Sequence, residues 1–206
     1  MNNKRIGKTQ RIAGLALFTA IVIVLQLLGS FIRFGPFSIS LVLVPIVIGA
    51  ALYGAEAGAW LGLVFGVVVT ALDAAPFLAF NPVGTVITCV MKGVLAGLCA
   101  GLTYRLLSGV NEIAAVVAAA LVCPVVNTGV FLIGCRIFFF PLMTEWSVSA
   151  GFPNAGRYMI FGLVGANFLF ETAINMILSP TVVRLVRTAR GSITASRNHQ
   201  RQEAAK

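Results

Sequence analysis

Histidine occurs once among the 206 residues, as His199 in a hydrophilic tail, and that scarcity removes several chemistries at the outset. A His-ligated metal site, a Ser-His protease and a His general base within a membrane all need an imidazole where this chain has none. The four cysteines, Cys89, Cys99, Cys123 and Cys135, lack metal-ligand spacing and read as small buried side chains. No Gly-rich loop ends in Lys-Ser or Lys-Thr, so the P-loop route to ATP hydrolysis is closed, and any energy used comes from an ion gradient or a partner. Acidic residues number six. Asp73 and Glu145 are too dispersed to form the carboxylate or metal cluster of a membrane enzyme acting on lipid or peptidoglycan precursors. The expectation is a protein that is not an enzyme, with no cofactor and no metal.

Charge is scarce as well: only 10% of residues are charged, against 59% hydrophobic, with a mean hydropathy of +0.98. A soluble domain of this size could not hide so much apolar surface. Apolar runs of bilayer length follow one another from Ile12 to Val186, without the alternation of a β-barrel. The sequence therefore predicts an all-α integral membrane protein with six transmembrane spans, at 12–32, 40–54, 57–73, 83–105, 112–138 and 159–183. Residues 1–190 form one domain, and 191–206 are expected to be a disordered cytoplasmic tail. The first run is too long for a signal-peptide core and lacks a cleavage site, so it is retained as span 1.

The net charge of +9 lies mainly at the two ends of the chain. Lys4, Arg5, Lys8 and Arg11 precede the first run, and Arg184, Arg187, Arg190, Arg197, Arg201 and Lys206 follow the last. With Arg105, these place eleven of the fifteen Lys and Arg on one side, leaving Arg33 and Arg157 opposite and Lys92 and Arg136 within spans. The positive-inside rule then sets both termini in the cytoplasm of a cell-membrane protein, with lipid headgroups rather than nucleic acid as the partner of the charge. Pro36, Pro76, Pro82, Pro141 and Pro153 fall in the outer stretches. The longest of these, Phe140 to Tyr158, reads either as a folded cap or as an interfacial loop anchored by Trp146 and Tyr158.

Two small-residue stripes predict close helix packing: Gly58, Gly62 and Gly66 in span 3, and Gly93, Gly97 and Gly101 in span 4. Ala13, Ala16 and Ala20 make a smooth patch on span 1. Ionisable groups deep in a span are costly and mark candidate sites. Lys92, Glu171 and, nearer an end, Arg136 qualify. Asn167, Glu171 and Asn175 share one face at i, i+4 and i+8. Asn127 and Thr128 follow Pro124, and Thr88 lies one turn from Lys92. These groups predict a polar pocket opening outward, with Asn81 at its lid. The competing reading is a structural Lys92–Glu171 pair with inter-helix amide hydrogen bonds.

The run from Ala16 to Ala20 (AlaLeuPheThrAla), the outer loop 34–40, the hairpin from Pro45 to Gly58 and the segment from Met91 to Gly97 resemble the substrate-binding S-components of energy-coupling factor (ECF) transporters. The resemblance covers nearly the whole span region. It implies capture of a small water-soluble vitamin from outside and docking, through Ala16 and Ala20, on a transmembrane coupling (T) protein that works with two ABC-type ATPases. It also implies that the subunit topples in the bilayer to carry the ligand inward. The segments 127–131 and 167–180 are similar to pantothenate-type members, and Lys92 with Arg136 would suit a carboxylate ligand. Folate- and riboflavin-type members share the framework. A stand-alone secondary transporter, with Lys92 and Glu171 on a proton path, is the alternative outside the family.

Overall fold

In the computed structural model the described residues are 8–30, 33–34, 37–38 and 41–203, with backbone alone described at Lys8, 33–34, 37–38, Ala166 and 189–203. The chain folds as helices α1 (Lys8–Gly29), α2 (Leu43–Tyr53), α3 (Ala55–Leu72), α4 (Ala75–Phe80), α5 (Pro82–Leu107), α6 (Glu112–Phe138), α7 (Phe140–Ser149) and α8 (Ala155–Arg157). A π-helical stretch, Tyr158–Val164, then leads into α9 (Gly165–Glu203). A two-residue antiparallel pairing of β1 (Arg33–Phe34) with β2 (Phe37–Ser38) lies between α1 and α2. The rest of the 34–40 motif, including Pro36, is outside the described residues.

Five segments are long and apolar enough to cross a bilayer: Thr9–Gly29, Ala55–Leu72, Pro82–Leu107, Glu112–Phe138 and Asn167–Thr188. They make this a multi-pass membrane protein. The expected second span corresponds to α2, whose 11 residues reach only about 16 Å at the helical rise, about half a hydrocarbon core. Its surroundings explain how it can be short. α2 packs against α1, α3, α5, α6 and α9, and Leu43, Pro45 to Ala50 and Ala51 are all buried. A helix apolar on every side is stable where protein surrounds it on every side. Gly54 at φ 97° supplies the left-handed turn that lets α3 begin immediately afterwards.

The glycine stripes meet each other. A Cβ on Gly58 would strike the Gly97 carbonyl, one on Gly62 the Gly93 carbonyl, and one on Gly66 the Cys89 carbonyl, so α3 and α5 touch backbone to backbone. Gly101 extends the seam to Ala55. Three of the prolines assigned to the outer stretches start helices, Pro76 in α4, Pro82 in α5 and Pro141 in α7, where a missing N–H costs nothing, while Pro153 lies in the loop before α8. α7 and α8 give most of the 140–158 stretch regular structure. α9 carries helical backbone on through 191–203, where composition suggests disorder.

At the end holding Arg11, Arg105 and Arg187, ion pairs join helices: Arg11 to Glu56 at 3.0 Å and Arg187 to Glu112 at 3.2 Å. Tyr104 donates its hydroxyl to the same Glu112 at 3.3 Å. The opposite end is apolar and aromatic, and the bundle there has a second core. Phe77, Phe131, Cys135, Phe139, Leu142, Met143, Tyr158, Leu163 and Val164 cluster apart from the main core around α2.

Candidate functional site

Connectivity fixes where the polar groups meet. Gln26 is near the end of α1, Val69 near the end of α3 and Asp73 just past it, Cys89 and Lys92 in the first half of α5, Asn127, Thr128 and Phe131 in the second half of α6, and Asn167 and Glu171 near the start of α9. Since α1, α3 and α6 run toward the aromatic end while α5 and α9 run away from it, all of them converge in that half of the bundle. There they line a cavity of about 650 Å³, its open mouth included, together with Phe65, Ala74, Phe77, Leu163 and Val164. The cavity occupies the seam between the two cores: Phe65, Val69, Ala74 and Cys89 come from one side, and Phe77, Phe131, Leu163 and Val164 from the other.

The carboxylate of Glu171 is 2% exposed. Its Oε1 accepts from Asn167 Nδ2 at 3.1 Å, whereas Oε2 has no protein donor among the described residues. Asn175 Nδ2 donates to the Glu171 backbone carbonyl at 2.8 Å, and Ser179 Oγ to that of Asn175 at 2.8 Å, so the polar stripe continues down α9 as local hydrogen bonds. On α6, Asn127 is buried with Oδ1 unsatisfied. Pro124, one turn earlier, lacks the N–H that would have bonded the Ala120 carbonyl. A buried acceptor without a donor is costly, and a ligand's hydroxyl or amide N–H can remove that cost.

The ammonium of Lys92 lies 5.2 Å from the ring centroid of Phe131 and 5.5 Å from that of Phe65. Among the described residues, ion-pair contacts link Arg11 with Glu56 and Arg187 with Glu112, but not Lys92 with Glu171. On the outer wall, Gln26 Nε2 donates to Asp73 Oδ2 at 2.7 Å and Ser30 Oγ to the same oxygen at 3.1 Å, tying α1 to the end of α3. Aromatic edges support the Phe131 wall of the cavity: Phe77 meets Phe131, Phe139 and Trp146 at centroid distances of 5.8, 5.0 and 5.5 Å.

The structure thus brings Lys92, Asn127, Thr128, Asn167 and Glu171 together around one space. It places four other candidates elsewhere. Asn81 caps α5, its Oδ1 accepting from Gly84 N at 2.9 Å. Arg136 is exposed, its guanidinium 4.3 Å from the Phe140 ring centroid. Thr88 is buried against Gly134, one turn from Lys92 and outside the cavity lining. Asn175 lies below the cavity on α9. Gln26, Asp73 and the aromatic walls are lining residues that sequence reasoning did not single out. Gln26 had a signal, being an uncharged polar group within an apolar run.

Ala13, Ala16 and Ala20 face outward on α1, next to the exposed Ile12, Leu17 and Val24. The opposite side of that helix, at Val22, Gln26 and Gly29, is buried. Thr19 accepts from Trp60 Nε1 at 3.1 Å beside the alanine face.

A multi-pass helical bundle with a mixed polar and aromatic cavity near one end is the architecture of a membrane protein that holds a small solute. The family model described as "ECF transporter, substrate-specific component" matches residues 10–183, and the chain belongs to that family. It is also similar to the pantothenic acid transporter PanT of Lactococcus lactis subsp. cremoris (strain MG1363). The two are 30% identical over 208 residues, an alignment spanning 90% of this chain and 98% of the relative.

Proposed function

We propose that this S-component captures pantothenate at the outer face of the plasma membrane and delivers it through a coupling module of one transmembrane T protein and two ABC-type ATPases. The observation that carries the reading is the cavity in which the Lys92 ammonium accompanies two buried acceptors, Asn127 Oδ1 and Glu171 Oε2, that have no protein donor among the described residues. Pantothenate offers the complement: a carboxylate for the ammonium, and hydroxyl and amide donors for the acceptors. Glu171 then receives donors from the ligand and need not oppose its carboxylate, which sits at Lys92. The likeness to a pantothenic acid transporter supports this ligand over other vitamins.

Six crossings with both termini inside fit the charge distribution, with α2 as the short central crossing whose backbone is shielded from lipid by its neighbours. That orientation opens the cavity outward and puts the Arg11–Glu56 and Arg187–Glu112 pairs at the cytoplasmic surface. The exposed Ala16 and Ala20 face on α1 suits close approach of a coupling-protein helix.

The test is pantothenate binding to the purified chain and to its Lys92→Ala, Asn127→Ala and Glu171→Ala variants. Lys92→Ala should weaken binding roughly ten- to hundredfold, the range for a hydrogen bond to a charged group, with membrane insertion intact. Unchanged binding in all three would refute the assignment. Gradient-driven uptake by the chain alone in liposomes would move the function to a secondary transporter.

A further inference from the structure

Lys92 and Glu171 line the same cavity, where opposite charges attract each other. The structure has a different arrangement. The ammonium rests between the ring of Phe65, from α3, and the ring of Phe131, from α6, at 5.5 and 5.2 Å from their centroids. Both rings are almost fully buried, at 1% and 8% exposure. Phe131 is itself fixed edge-on by Phe77, which is held by Phe139 and Trp146. A ring face stabilises an ammonium through its quadrupole without neutralising the charge, whereas a contacting carboxylate would cancel it.

Building on the pantothenate reading, we propose that Phe65 and Phe131 are positioning residues that hold the Lys92 ammonium off Glu171, and that this gives the cavity its preference for a carboxylate over an uncharged ligand of the same shape. The rings act before the ligand arrives. They leave a half-buried cation facing the cavity, so a ligand carboxylate need not first break an internal ion pair. Glu171 stays available as an acceptor.

The experiment compares equilibrium binding of pantothenate with that of pantothenol, in which a CH₂OH group replaces the carboxylate. It uses the detergent-purified full chain and its Phe65→Leu, Phe131→Leu, Phe131→Tyr and Lys92→Met variants, plus the Leu changes in the Lys92→Met background. The preference for pantothenate should fall about fivefold or more in each Leu variant and persist in Phe131→Tyr, which keeps the ring face. In the Lys92→Met background the Leu changes should cause no further loss of preference, since the rings act through Lys92. Because the two rings come from different helices, a folding defect in one Leu variant leaves the other to answer. Equal weakening of both ligands, or an unchanged ratio, would overturn the inference alone. A wild-type chain that binds neither ligand would remove the pantothenate reading and this inference with it.

Discussion

Replacing Gly62 with alanine is a one-atom change with a calculable consequence. The added Cβ would collide with the carbonyl oxygen of Gly93 and stand 3.1 Å from Val94 N. Both neighbours are backbone, so no side-chain rotation relieves the contact, and α3 must move away from α5. Such overpacking costs about 1–3 kcal/mol, and the upper half of that range applies because parting the helices also loosens the Gly58–Gly97 and Gly66–Cys89 contacts on either side. For a chain of this length the melting temperature should drop by roughly 4–12 °C. The four free cysteines, three of them buried, allow melting in detergent to be followed by a thiol-reactive dye. Phe65 and Lys92 sit on the two helices being separated, so ligand affinity should fall in parallel. Gly129→Ala is the control: a Cβ there meets nothing within 4 Å, and the change should be neutral or slightly stabilising. Equal melting temperatures for Gly62→Ala and Gly129→Ala would refute the backbone-contact argument.

Three further substitutions separate roles that the sequence alone leaves entangled. Ala16→Trp or Ala20→Trp places a bulky ring on the exposed face of α1; co-purification with the coupling protein should be lost while ligand binding is retained, and assembly by both variants would exclude this face as the docking surface. Asn81→Ala removes the α5 cap and should cost about 1 kcal/mol of stability without changing ligand affinity. A selective loss of affinity would instead make Asn81 a ligand contact.

The groups legible in the sequence were those whose presence in an apolar run demands a reason. Lys92 and Glu171 are ionisable at depth, and Asn127 and Asn167 carry amides that lipid cannot satisfy, so each had to face the interior, where the cavity gathers them. The glycine stripes were legible for the same reason in reverse: absent side chains mark where another backbone approaches. Phe65, Phe77 and Phe131 were not legible, because a phenylalanine in an apolar run looks the same whether it faces lipid, core or cavity. Gln26, a neutral amide in an apolar run like Asn127, makes the same demand at 1% exposure and was legible on the same ground, though it was not singled out. Arg136 and Asn81 show the converse. One sits near the end of α6 over Phe140 and the other at the start of α5, where a polar group is served by a local partner and needs no cavity. The short α2 was expected as a span of barely sufficient length, since an apolar run carries its hydropathy whether protein or lipid surrounds it.

The most direct measurement of the central claim is saturation binding of radiolabelled pantothenate to the detergent-purified chain, without coupling module or ATP, beside a folded Lys92→Met variant. The account predicts one saturable site in the wild type, weakened at least about tenfold in the variant. A folded wild type that binds no pantothenate, or a variant that binds as well as the wild type, would contradict it.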